Sequence, residues 1–119
     1  MNKFKNIPVN WNGMGFRSKA ERMHAMWLNS EQEAGKIIGW AYEKQYDLFA
    51  WTSQLGKNEK VFIGKIIPDF TVDMKNGCTE VHEVKGGDAT KTAIWSMKKK
   101  IFEANYPWIL YRVFDRWRY

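Results

Sequence analysis

The stretch IIPDFTVDMKNGCTEVHEVKGG, residues 66–87, sets two apolar runs on either side of Asn76-Gly77. Asn-Gly is among the strongest short-range hairpin signals, because both residues tolerate the positive φ of a two-residue turn. The runs therefore read as antiparallel neighbours, a strand over residues 61–72 and another over residues 79–85. Asp69 falls on the first, and Glu83 and Lys85 on the second. Alternate residues of a strand share a face, so Glu83 and Lys85 stand about 6–7 Å apart on one side of the sheet. All three charged groups can converge on one patch.

Their company is apolar, whereas a solvated sheet face is polar at more positions. The plain alternative is an ordinary ion pair on the sheet surface, with Asp69 ending a strand. The chemical reading is a metal site. Two carboxylates from adjacent strands, with the backbone carbonyl of Val84, match a hard divalent cation such as Mg²⁺, which takes oxygen ligands at about 2.0–2.1 Å and keeps several waters. Lys85 beside it can position or deprotonate an attacking water, or stabilise charge developing on a phosphate.

Outward from this stretch the chain divides simply. Residues 1–16, with Pro8, Gly13, Gly15 and scattered aromatics, read as an arm without regular structure. From Arg17 the apolar spacing is helical, Ser18-Lys-Ala-Glu21 reads as a capping box, and Gly35 is the stop. Residues 40–51 (WAYEKQYDLFAW) read as a first strand, and residues 53–60 as a polar connection to the second. After Gly86-Gly87 a second helix is expected, capped by Asp88 or Thr90, with Ile94, Met97, Ile101 and Phe102 along its apolar side. Pro107 ends it, and residues 108–114 (WILYRVF) make a last strand. The order is helix, three strands, helix, strand.

Composition bounds the class of protein. A chain of 119 residues, 45% hydrophobic, has the apolar content for one core, so residues 1–119 read as a single domain with a short basic and aromatic tail at 115–119. The formal charge of +6 favours a polyanionic partner, although solubility alone accounts for it equally well. Cys78 is the only cysteine, which rules out an intrachain disulfide and a cysteine zinc cage. No run approaches the roughly 20 apolar residues of a membrane span, so the expectation is a cytoplasmic protein without membrane contact, with nucleic acid as the polyanion.

Pro68-Asp69, a spacer, then Glu83-Val84-Lys85 resembles the motif of the PD-(D/E)xK nuclease superfamily, and the element order resembles that superfamily's αβββαβ core. FRSKAE (16–21), PDF (68–70) and HEVKG (82–86) look like a branch of small phage-borne endonucleases related to Holliday-junction resolvases. The resemblance implies an α/β, restriction-endonuclease-like fold, a mixed sheet flanked by helices, and a metal-dependent endonuclease acting on DNA. It implies that Asp69 and Glu83 hold Mg²⁺ or Mn²⁺, that Lys85 is the catalytic lysine, and that Glu21 completes the acidic cluster. A phage-encoded protein would work in the host cytoplasm. Symmetric cutting of a junction would need a homodimer.

Glu21 also has a complete local explanation as a helix cap. His82 should face away from Glu83 and Lys85, towards a helix, and His24 should be partly buried on the first helix. Arg17, Lys19 and Arg22 near the acids, Lys98, Lys99 and Lys100 on the second helix, and Lys3, Lys5, Arg112, Arg116 and Arg118 are candidate phosphate contacts. Trp117 and Tyr119 are candidate stacking residues. Two further readings remain open from sequence: a non-catalytic nucleic-acid-binding module, and an adaptor that binds a protein partner.

Overall fold

In a computed structural model of the chain, the described residues are 9–85 and 92–115. Two helices and a mixed sheet dominate them, giving an α/β arrangement. Lys3, Lys5, Asp88, Thr90 and residues 116–119 lie outside the described residues.

The expected arm contains a hairpin. Strand β1 (Val9–Trp11) pairs antiparallel with β2 (Met14–Phe16). The turn is Asn12-Gly13, with φ 52° and 76°, the double left-handed geometry that Asn-Gly tolerates at little cost. Phe16 is buried against the first helix and the sheet, which anchors the hairpin. Helix α1 (Lys19–Glu33) begins as expected, with Ser18 Oγ accepting from the Glu21 N–H at 3.1 Å. It ends at Gly35, whose φ of 75° lets the Gly35 and Lys36 amides turn back to the carbonyls of Gln32 and Glu31, a Schellman closure.

The strand predicted over 40–51 is two strands. β3 (Ile37–Tyr42) and β4 (Tyr46–Thr52) are separated where Glu43 adopts φ 59° and its N–H turns to the Asp69 carbonyl at 2.9 Å. The strand predicted over 61–72 divides likewise into β5 (Glu59–Ile66) and β6 (Phe70–Met74). Pro68, which has no amide to give a ladder, sits in the break. Asp69 is therefore one residue before β6 rather than within a strand. Among the described strands β4 and β5 pair only with each other, and Tyr46, Leu48 and Ile66 of this ribbon pack into one core with Val81, Phe102 and Tyr111.

The main sheet has the order β3-β6-β7-β8, with β7 (Thr79–Lys85) and β8 (Ile109–Asp115). β6 and β7 form the expected antiparallel pair across Asn76-Gly77, and β8 runs parallel to β7. A parallel neighbour needs a crossover, which helix α2 (Ala93–Asn105) supplies. Its cap is Thr92, whose Oγ accepts from the Trp95 N–H at 3.1 Å.

Each helix covers one face of the sheet. Ala25 and Leu28 of α1 pack on Phe70 and Val72, while Phe102 of α2 packs on Val81 and Tyr111. The buried face of α2 is the expected one at Ile101 and Phe102 and differs in the first turns, where Ile94 and Met97 are exposed and Trp95 turns inward. The indole buries more apolar area than the isoleucine beside it would. His24 is fully rather than partly buried, and it meets His82 on the α1 face with the ring nitrogens 2.9 Å apart. Among the described residues no helix is long and apolar enough to cross a membrane.

Candidate active site

The break before β6 and the far end of β7 bring the charged residues of the opening stretch to one place. Phe70 pairs with His82, so the ladder extends to set Asp69 opposite Glu83, on the α2 face of the sheet. A cleft of about 680 Å³ opens there, lined by Glu21, Asp69, Glu83, Val84 and Lys85. The first turns of both helices border it through Ser18 and Thr92, so their partial positive charges face the acids.

All three carboxylates are buried. Asp69 Oδ2 accepts from the Val84 N–H at 2.7 Å and Oδ1 accepts from Arg17 Nη2 at 2.8 Å. Glu83 Oε1 accepts from Tyr111 Oη at 2.6 Å and from Trp95 Nε1 at 3.1 Å. Glu21 accepts a short hydrogen bond from Tyr42 Oη and lies 3.6 Å from Arg17 Nε. The Glu21 carboxylate thus turns into the cleft instead of back to its own helix, which keeps only half of the capping box. Lys85 Nζ lies 4.4 Å from the centre of the Trp95 ring, a cation–π distance.

Burial and crowding govern the charge state. The Asp69 carboxyl is pushed well above the usual carboxylate range by burial, by the charge of Glu83, which also lies within hydrogen-bond reach, and by Glu21. The Val84 N–H acts in the opposite direction, as does the Arg17 guanidinium at 2.8 Å, but burial and the neighbouring acids outweigh them. Burial, with Glu83 next to it, raises the Tyr111 hydroxyl, and burial, with Glu21, raises Tyr42, so both phenols remain donors. Burial opposes charge on Arg17, but Glu21, Tyr42 and Asp69 outweigh it and hold the guanidinium charged.

This is a donor set with excess negative charge. Among the described residues no three His, Cys, Asp or Glu side chains close into a ready cage. Asp69 and Glu83 are instead a two-carboxylate site, the number that Mg²⁺ commonly takes from a protein while keeping waters. The residues fit such an ion: two adjacent buried acids disfavour joint ionisation, and a divalent cation removes that repulsion. The Val84 contact that is present runs through its N–H, which orients Asp69.

The basic residues divide. Lys98 lines the cleft beside the acids, while Lys19 and Lys100 are exposed. Lys99 lies 3.1 Å from Glu103 and over the Tyr111 ring at 5.2 Å. Arg17 points into the acid cluster rather than outward. Arg22 Nε is shielded from solvent without a hydrogen-bond partner among the described residues. Arg112 bonds Glu80 at 3.2 Å on the α1 side of the sheet, away from the cleft.

Sequence reasoning did not find Tyr42, Trp95, Tyr111 or Lys65, all of which touch an acid or line the cleft. Tyr111 joins Glu83 because β8 lies beside β7, with Val81 level with Tyr111 and Glu83 with Val113. The face alternation of Tyr111 was readable, but the strand order that gives it this neighbour was not.

A family model described as "Protein of unknown function (DUF1064)" matches residues 1–116, and the chain belongs to that family. No curated protein and no solved structure matches it.

Proposed function

For this member of the DUF1064 family, we propose a metal-dependent endonuclease that hydrolyses DNA phosphodiester bonds. The observation that carries the reading is the meeting of Asp69, Glu83 and Lys85 in one cleft, from two ends of a hairpin and with both carboxylates buried. The restriction-endonuclease-like core is supported by the order α1, β3, β6, β7, α2, β8, with the β4–β5 ribbon as an insertion.

When bound, Mg²⁺ or Mn²⁺ supplies Lewis acidity at the phosphate and at a water. The chain supplies orientation. The Val84 amide fixes Asp69, and Tyr111 and Trp95 fix Glu83, so both acids are held before substrate arrives. Lys85 offers its ammonium protons to charge developing on the phosphate, with the Trp95 face holding its position. Lys98 and Lys65 on the cleft wall meet the flanking backbone. Paired cuts across a junction would take two such clefts and hence a homodimer.

The deciding experiment incubates the protein with supercoiled plasmid, linear duplex and a four-way junction, each with Mg²⁺, Mn²⁺ or EDTA. Metal-dependent cutting is expected, and comparison of the three substrates reads structure selectivity. One observation favours a second reading, a non-catalytic DNA-binding module: Arg17 already bonds Asp69 directly at 2.8 Å, an arrangement that stands without metal. Salt-sensitive DNA binding in EDTA with no cutting of any substrate would select that reading.

A further inference from the structure

Arg17 sits where a metal ligand would have to be free. Asp69 has two oxygens; the Val84 amide holds Oδ2, and Arg17 Nη2 holds Oδ1 at 2.8 Å. The same side chain places Nε 3.6 Å from Glu21 and Nη2 3.4 Å from Glu43. One guanidinium therefore spans three carboxylates and occupies the oxygen of the most buried one that the Val84 amide does not hold.

The partners differ in their freedom to move. The Asp69 side chain is 4% exposed and the Glu21 side chain 10%, whereas that of Arg17 is 54% exposed. The acids are fixed by hydrogen bonds from Val84 and Tyr42, while the arginine head has an open path to solvent. Its backbone precedes the α1 cap and donates to Tyr42 Oη, so the head can swing while the chain stays in place. A phosphate diester at the cleft mouth offers a planar guanidinium two oxygens for a bidentate, charge-assisted contact as good as a carboxylate.

Resting on the metal-nuclease reading, we propose that Arg17 is a displaceable resident cation, which occupies the acid cluster until a nucleic-acid phosphate draws it out and frees Asp69 for the divalent ion. Metal and DNA then bind with positive coupling, because each favours the state in which the arginine has left the acids. Linkage makes that coupling reciprocal: the factor by which DNA tightens metal binding equals the factor by which metal tightens DNA binding. A merely structural ion pair has the opposite signature, since removing it would loosen the acids and weaken metal binding.

The test is Mn²⁺ affinity, read by titration calorimetry and by the paramagnetic resonance signal of free Mn²⁺, without DNA. Arg17→Gln is expected to bind Mn²⁺ about tenfold more tightly than wild type, on the order of one ion-pair contact. Arg17→Lys, which keeps the charge but cannot span Asp69 and Glu21 with a fork, should fall between them and serves if the glutamine variant does not fold. In a Lys85→Ala background, chosen to suppress turnover, a short duplex should tighten Mn²⁺ binding, and adding Arg17→Gln should remove most of that gain. Equal or weaker Mn²⁺ binding by both Arg17 variants overturns the displacement while leaving the metal site standing. Absence of Mn²⁺ binding in wild type and variants alike overturns the metal-nuclease reading, and this proposal with it.

Discussion

Tyr111 Oη lies 2.6 Å from Glu83 Oε1, so the last strand of the sheet holds the central acid of the cleft. Both groups are buried, and the hydroxyl donates to an oxygen that also receives the Trp95 indole N–H. Tyr111→Phe keeps the ring on Phe102 but removes the stronger donor. We expect a loss of about 1–3 kcal/mol in urea unfolding, the cost of leaving a buried carboxylate short of a partner, together with reduced metal-dependent cleavage. Unchanged stability would show that Glu83 does not depend on this bond.

Asp69 makes stability fall with rising pH. Its carboxyl is raised above its unfolded value by burial and by Glu83, so the folded chain holds the proton more tightly than the unfolded one. This contribution is complete below the unfolded pKa of about 3.9 and is lost as pH climbs through the raised folded value. In EDTA, Asp69→Asn should flatten the decline in stability between about pH 4 and the folded value of about 9, as measured by urea midpoints.

The histidine pair acts in the opposite direction. Glu80 accepts only, so His82 Nε2 donates to it and His82 Nδ1 accepts from His24 Nε2, a chain in which both rings are neutral. Burial, then the facing His82 and Arg112, lowers His24 to about 3, and burial lowers His82 despite Glu80. A depressed folded pKa gives stability that is present above the unfolded value near 6.5 and is lost as pH falls. Acid unfolding should therefore begin below about pH 6.5, and His24→Phe should shift its midpoint to lower pH.

On the proposed reading, Lys85 meets the phosphate and does not hold the fold. Lys85→Met retains the stem against Trp95 and removes the ammonium. Cleavage should disappear, DNA binding should persist, and stability should change by less than about 1 kcal/mol. Wild-type-like cutting by this variant, or by Asp69→Ala, would refute the site assignment.

Leu55 adopts φ 58° at the ribbon turn and is 93% exposed, so its side chain bears backbone strain without packing in return. Leu55→Asn, a residue that tolerates the left-handed region, should stabilise the chain by about 0.5–1 kcal/mol. Thermal unfolding with no rise in midpoint would contradict that geometry.

What the sequence discloses here is local. Asn76-Gly77 marks its hairpin through Gly77, whose φ of 89° follows the turn its N–H closes on the Met74 carbonyl at 3.0 Å, and this hairpin sets Asp69 across from Glu83. Ser18 and Gly35 likewise mark the ends of α1 through backbone requirements within a few residues of each. The strand breaks at Glu43 and Asp69 are harder to see. Residues 40–51 carry no Gly or Pro, and Glu43 takes its positive φ to reach the Asp69 carbonyl, a partner distant in sequence. Asn12-Gly13 was legible by the same rule as Asn76-Gly77, but the surrounding Gly and Asn residues obscured the short strands. The donors around the acids come from β3, α2 and β8, and only the packing of the sheet brings those elements together.

The parallel pairing of β7 with β8 bears on when the chain becomes chemically competent. Contacts between distant segments form late, because the intervening loop must close before they repay its lost freedom. Until β8 docks, Glu83 lacks the bond from its tyrosine, the shorter of those it accepts from Tyr111 and Trp95. If the proposed nuclease activity holds, partly folded forms would be inert, and an ability to damage nucleic acid would arise only with the completed native state.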